Sequence, residues 1–394
     1  MKNIVHLDIP AFQATVEQVK DSSYRGRPLA VSTGSGSRAL IVSASREAKF
    51  EGIQKGMFIK DALKREPHLI LIDPNPELYQ RAMLAIIKRL GYYSPLVEVV
   101  SYGHLAIDMT GTQSLYGRVK DSAFSIYKDI RNDFRLPSSL GVAVNKLVSH
   151  VAASYIQDYA ELYDVIPGSE ALFFSPLQLD MLPGLGATRE AQLLDELNVS
   201  TIGLLSEIPL NKLGLVVGKS AYQLHQKARG VDESPVVPPS QTTDIKEEIT
   251  FDEDSNDDIL LNGALHFLVE NACSRLRKRH QKANALRLFC RYADSKILSR
   301  RIQLDYPSHD EYVILHHSNK VFNDIFSRRV RVRYVSFTCE NLVYSAIQES
   351  LFGYALDRRE EQSQKIFHAM DCIRGRHGYK AIQFGHTANV SLAL

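Results

Sequence analysis

The sequence predicts an α+β fold, and three stretches carry that prediction. From residue 2 to about 165, strand-like runs alternate with helical spacing. From 173 to 255 the spacing reads as all helical. From 272 to 334, apolar and basic residues alternate as in strands. The 394 residues leave room for about two to four domains.

The first stretch opens with Lys2-Asn3-Ile4-Val5-His6-Leu7-Asp8, an apolar strand that ends on a carboxylate. Helical spacing follows at 14–19. Strands are expected at 28–32 and 39–43, joined by a glycine–serine turn at 34–37. Ser45 suits the N-cap of a short helix that Gly52 stops. A helix at 59–65, a strand at 69–72 and a helix through Leu78, Ala82, Ile86 and Leu90 come next. Two strands, 96–101 and 105–110, meet at the turn Tyr102-Gly103. In the second, alternation puts His104 and Asp108 on one face. A helix at 122–133, a strand at 140–144 and a helix at 146–157 complete the stretch, with Asn145 as N-cap.

The middle stretch carries Leu182-Pro183-Gly184-Leu185-Gly186 before an amphipathic helix, and Leu215 to Gly218 before another. Such a pattern resembles a helix-hairpin-helix. Its glycines let backbone N–H groups approach a phosphate, and the next helix start adds a favourable dipole. A plain glycine-rich turn between helices gives the same letters. An acidic run follows, Glu247, Glu248, Asp252, Glu253, Asp254, Asp257 and Asp258.

Charge is unevenly spread. The whole chain has a net charge of only +2, yet residues 272–334 hold fifteen Lys/Arg against five Asp/Glu. The alternating segments carry Arg287, Arg291, Arg300, Arg301, Arg331 and Arg333; one sheet face would bury the apolar residues and the other would display guanidinium groups. Cations two residues apart match a row of phosphates. A solvated charged face is the plainer alternative. Near the end, Gln348-x-x-Leu351-Phe352 offers a hydrogen-bonding rim residue and two apolar anchors, which suits a partner's pocket or the protein's own surface. Four cysteines without a CxxC pair read as reduced thiols of a cytoplasmic protein without a zinc site. The N-terminus enters a strand at once, which leaves no room for a signal peptide, and no apolar run suits a membrane helix.

Together these motifs resemble the Y-family translesion DNA polymerases, of the DinB and UmuC kind, along essentially the whole chain. The resemblance implies a right-hand architecture. The palm would comprise 1–10 and 76–165, small fingers 11–75, and a helix-hairpin-helix thumb 166–240. A basic α/β little finger would take 241–345, and 346–394 a tail with a clamp-binding motif and a C-terminal helix. His6-Leu7-Asp8 resembles the first palm strand with its metal-binding Asp. Ser43 to Lys49 resembles the fingers motif that contacts the incoming triphosphate. Ser101 to Asp108 is similar to the Ser-Leu-Asp-Glu-Ala-Tyr-Leu-Asp signature, and Gly141 to Lys146 to the Gly-Ile-Ser-x-Asn-Lys motif. By the same resemblance Gly184, Gly186, Gly218 and Lys219 would touch DNA with the six arginines above, and Gln348, Leu351 and Phe352 would bind a bacterial sliding clamp.

The active site departs from the family pattern. Gly103 and His104 stand where the second and third carboxylates belong. Gln13 replaces the aromatic steric gate. Arg46 and Lys49 replace the Tyr and Arg that hold the triphosphate, and Gln157 replaces a Lys. Asp8 and Asp108 remain. Two-metal phosphoryl transfer needs several hard oxygen ligands for Mg²⁺, and each ~1.4 kcal/mol lost is tenfold in rate. The departures look most like ImuB, a group that keeps the polymerase body without the catalytic carboxylates. That resemblance implies a non-catalytic DNA- and clamp-binding adapter in damage-induced mutagenesis. Its partners would be an error-prone polymerase and an ImuA/RecA-like accessory protein, and it would need no cofactor. The alternative is an active lesion-bypass polymerase with Mg²⁺ in an atypical site, where Asp8, His104 and Asp108 are the groups left to hold a metal.

Overall fold

The computed structural model describes residues 2–34, 39–156, 161–238, 244–294, 296–326, 328–344, 358–378, 381–385 and 387. The chain divides into two compact units, 1–239 and 240–394.

The first unit has eight strands: β1 (Ile4–Asp8), β2 (Leu29–Ser32), β3 (Ile41–Ala44), β4 (Ile70–Ile72), β5 (Val97–Ser101), β6 (His104–Asp108), β7 (Ser139–Ala143) and β8 (Leu162–Asp164). Five form a sheet in the order β5-β6-β1-β7-β8, and three a smaller one in the order β3-β2-β4. β1 is the centre of the larger sheet, antiparallel to both β6 and β7. Its side chains alternate between two faces. Val5 and Leu7 join a core with the helices Pro76–Leu90 and Val119–Phe134. His6 and Asp8 point the other way, both almost completely buried.

On that second face lies the helix Lys146–Tyr155. Asn145 caps it, accepting a hydrogen bond from Val148 N at 2.9 Å, a contact worth about 1 kcal/mol. The helix backbone rests directly on β7 at Gly141. A Cβ there would sit 2.0 Å from Ser149 O and 2.6 Å from Ala153 N. Glycine at 141 is therefore what brings the helix down onto the sheet.

Beyond Glu170 the unit is helical. Gly184 and Gly186 both have left-handed backbones, φ +83° and +75°, and lead into the helix Ala187–Leu197. The second helix expected after Gly218 is present as Ala221–Ala228, but residues 215–217 are helix and not turn. Leu210–Val217 is one continuous helix with Gly214 inside it, and only Gly218, φ +63°, turns the chain. Leu213 is fully buried there, so burial on one helix face outweighs the modest helix cost of Gly214.

The second unit contains β9 (Ile245–Ser255), β10 (Gln281–Tyr292), β11 (Ile297–Ser308), β12 (Val332–Glu340) and β13 (Val343–Tyr344). The sheet order is β11-β10-β12-β9, with β13 beside β10. The helices Asp258–Lys278 and Glu311–Ile325 share its core. β9 corrects the all-helical expectation for 173–255: the acidic run from Glu247 to Asp254 is a strand, and Asp257 caps the helix that begins at Asp258. Ile245, Ile249 and Phe251 are buried; Glu247 and Glu248 lie between the first two, and the remaining acids of the strand follow Phe251. A last helix, Arg358–His377, buries Phe367 and Met370. Its Asp371 accepts from Arg277 Nε at 2.7 Å, and its Arg374 donates to Glu270 at 2.7 Å. Among the described residues no helix is long and apolar enough to cross a membrane, and the four cysteines are free thiols, three of them buried.

Candidate functional site

The register of the central sheet fixes what can meet. Asp8, at the end of β1, pairs directly with His104, at the start of β6. Asp108 pairs with Ile4 at the far end of the same ladder, about 13 Å away at ~3.3 Å per residue. There its Oδ1 accepts from Thr110 N at 2.9 Å. Asp108 is thus a loop-capping residue, and the register excludes the alternative in which it shares a metal site with Asp8 and His104. Sharing a strand face with His104 does not make it a neighbour of Asp8.

What surrounds Asp8 is imidazole. His104 Nδ1 lies 3.5 Å from Asp8 Oδ1, and the His104 side chain is only 28% exposed, so it is not simply a solvent-facing residue after a turn. His150, from the helix over Gly141, stacks on His6 with ring centroids 4.4 Å apart. His104 lies 5.3 Å from His150 and 5.8 Å from His6, centroid to centroid. Neither ring nitrogen of His6 has a hydrogen-bond partner among the described residues, a burial cost of about 1–3 kcal/mol. Desolvation, followed by the neighbouring His150 and His104, holds the His6 pKa well below its ordinary value. Burial and His104 push His150 down to about 4. Both rings are neutral at pH 7, with lone pairs available.

Mg²⁺ fits poorly here. It demands near-octahedral oxygen ligands at about 2.0–2.1 Å. Asp8 offers a carboxylate, but the two positions after the turn offer none. Gly103 has φ +85°, and a Cβ there would lie 2.7 Å from Ile9 O and 2.8 Å from Phe12 Cβ. The turn has closed over the space that a side chain would need.

A cleft of about 340 Å³ opens beside this cluster, and Gln13, Lys49, Lys55, Tyr102 and His104 are among its lining residues. Two lysines suit an anionic group. Arg46 is not part of the lining; its guanidinium lies 5.6 Å over the Phe50 ring. Gln157 lies outside the described residues. Lys146, held by Glu98 at 2.9 Å, is a third cation near the histidines. The sequence reading missed His6, His150 and Lys55. The His6-x-Asp8 spacing already placed two ligand-type side chains on one strand face, and His150 follows Lys146 by one helical turn.

The basic sheet also differs from expectation. Arg287 and Arg301 face each other across β10 and β11, and both are tied to Glu340 of β12, Arg301 at 2.8 Å. The Arg287 hydrogen bond, with Arg301 beside it, holds the Glu340 carboxyl below its ordinary range. Arg333 is held by Asp254 of β9 at 3.0 Å. Glu340 of β12 and Asp254 of β9 therefore neutralise three of the six arginines, Arg287, Arg301 and Arg333. Among the described residues Arg291, Arg300 and Arg331 make no ion pair and are exposed. Arg300 pairs with Leu288 and Arg301 with Arg287, so these two neighbours point to opposite sheet faces and do not share the open one. Arg291 instead lies over the Tyr334 ring. Gly184, Gly186, Gly218 and the exposed Lys219 mark turns of the helical region. Gln348, Leu351 and Phe352 lie outside the described residues.

Comparison with known proteins matches residues 7–154 to the impB/mucB/samB family and residues 243–351 to the impB/mucB/samB family C-terminal domain. The chain is 30% identical over 301 residues to a DNA polymerase IV of Halorhodospira halophila, covering 76% of this chain and 84% of that protein. It is 28% identical over 388 residues to a DNA polymerase IV of Dehalococcoides mccartyi, covering 98% of each. Among solved structures, a Y-family DNA polymerase chimera, Dbh-Dpo4(243-245)-Dbh, aligns with a TM-score of 0.71 at 21% identity, over 87% of this chain and 99% of that one. DinB from Sulfolobus solfataricus aligns with a TM-score of 0.63 at 21% identity over the same shares.

Proposed function

The chain belongs to the Y family of DNA polymerases, and from that premise we propose that it is a catalytically silent member that binds primer–template DNA and supports lesion bypass by another polymerase. One observation carries the reading: Gly103, whose left-handed turn leaves a Cβ only 2.7 Å from Ile9 O. With His104 next to it, Asp8 has no partner carboxylates from this turn for two-metal phosphoryl transfer.

DNA binding rests on the family's polymerase relatives and on the exposed Arg291, Arg300 and Arg331. Clamp binding through Gln348, Leu351 and Phe352 extends the same reading, as does an adapter role of the ImuB kind beside an error-prone polymerase and an ImuA/RecA-like protein. Cytoplasmic residence goes with that role.

A second reading is an active polymerase with an atypical metal site. The relatives named DNA polymerase IV, one aligned over 98% of the chain, favour it. Binding and extension of a primed template, measured side by side, separate the two readings. Tight binding without incorporation supports the silent member, and incorporation supports the polymerase.

A further inference from the structure

We infer that His6, His104 and His150 form a binding site for a divalent transition metal of the zinc class. The three residues offer ligand nitrogens that all lie within 4.8 Å of one another. They come from three separate elements: the centre of β1, the start of β6 and the Lys146–Tyr155 helix. A metal held there would tie the helix to the sheet across its buried face.

Two observations point to a ligand rather than to a packed histidine core. The first is His6, 1% exposed, with neither Nδ1 nor Nε2 bonded to any described residue. A core histidine is usually satisfied through at least one nitrogen. The second is Asp8, whose Oδ1 lies 3.5 Å from His104 Nδ1. Closing this contact to a hydrogen bond would leave the other nitrogen, Nε2, as the ligand atom, the arrangement that commonly orients a zinc-bound histidine. Asp8 would then be a positioning residue.

The ligand set selects the metal. Three imidazoles suit Zn²⁺, Co²⁺ or Ni²⁺ and disfavour Mg²⁺. Zn–N bonds of about 2.0–2.1 Å place tetrahedral ligand nitrogens roughly 3.3 Å apart. The cluster therefore contracts on binding, and His150 turns out of its stack on His6. His104 and His150 are both partly exposed. His104 also lines the neighbouring cleft, so water can complete the coordination.

The site is independent of whether the chain extends primers, and its test is too. The untagged full-length chain is stripped with EDTA and titrated with Co²⁺ and Zn²⁺, with Mg²⁺ as comparison. The expected result is one equivalent of Co²⁺ with visible absorption bands of low coordination number, displaced by Zn²⁺ and not by Mg²⁺. His104→Ala and His150→Ala, each checked for folding by circular dichroism, should lose affinity by about 100-fold or more. Asp8→Asn should weaken binding by about 10–100-fold at unchanged stoichiometry. The exposed His68→Ala variant should bind as the parent does. Substoichiometric uptake by the parent, or equal affinity in folded His104→Ala and His150→Ala, overturns the proposal.

Discussion

The imidazoles of His6 and His150 lie flat on one another, their planes 1° apart and their centroids 4.4 Å apart. The stack exists because Gly141, paired with His6 across the sheet, lets the Lys146–Tyr155 helix descend onto the strands. Stability, pH response and metal chemistry of the first unit all meet at this contact.

Both rings resist protonation in the folded state, His150 until about pH 4, whereas in the unfolded chain a histidine takes its proton near pH 6.5. Between those values the unfolded state binds more protons, so stability rises with pH and is lost as pH falls through the window. Glu311 in the second unit, pushed up to about 7 by burial, acts with the opposite sign between about 4.5 and 7. His150→Gln isolates the first effect. In urea unfolding with EDTA present, the advantage of the parent over the variant should shrink from pH 7 to pH 4. A constant difference would refute the assignment.

Gly141→Ala should be severely destabilising, by about 3 kcal/mol or more, because the added methyl meets helix backbone rather than a movable side chain. Gly103→Ala combines left-handed strain of about 1–3 kcal/mol with contacts under 3.0 Å. Urea midpoints check both. For the same reason Gly103→Asp with His104→Glu should fail to create primer extension.

Arg277 is the hub that holds the last helix, bonding Asp371 at 2.7 Å and Glu311 at 2.8 Å with little exposure of any partner. Arg277→Ala leaves the Glu311 side chain, 2% exposed, without that cation. The expected loss is about 3–5 kcal/mol. Hydrogen exchange should show faster exchange in 365–377, and unchanged protection there would contradict the hub role.

Glu340→Gln should release Arg287 and Arg301 from their shared carboxylate and raise DNA affinity. The salt dependence should steepen by about 0.9 per phosphate newly contacted. Arg291→Ala should weaken binding more than Arg287→Ala does. Fluorescence anisotropy across a salt series measures this, and an unchanged slope in Glu340→Gln would argue against DNA on this face.

Much of this architecture was legible in the sequence. The strand ending on Asp8, the turn at Gly103 and the Asn145 cap are local signals, set by alternation, a left-handed turn and a side-chain hydrogen bond. Three features were not legible, each for a long-range reason. β9 was hidden because its acids dominate its composition, while the burial of Ile249 and Phe251 depends on β12 beside it. The tie of Arg287 and Arg301 to Glu340 depends on register between strands, and charge counts carry no register. The meeting of His6 and His150 depends on a helix landing at Gly141, across more than a hundred residues of chain.

The central claim is that the chain binds primed DNA and does not extend it. The most direct measurement is dNTP incorporation on a primer–template, with Mg²⁺ and with Mn²⁺, by the parent chain and by Asp8→Asn. The account predicts retained DNA binding with no incorporation by the parent above the Asp8→Asn background. Extension by the parent that Asp8→Asn abolishes would contradict it.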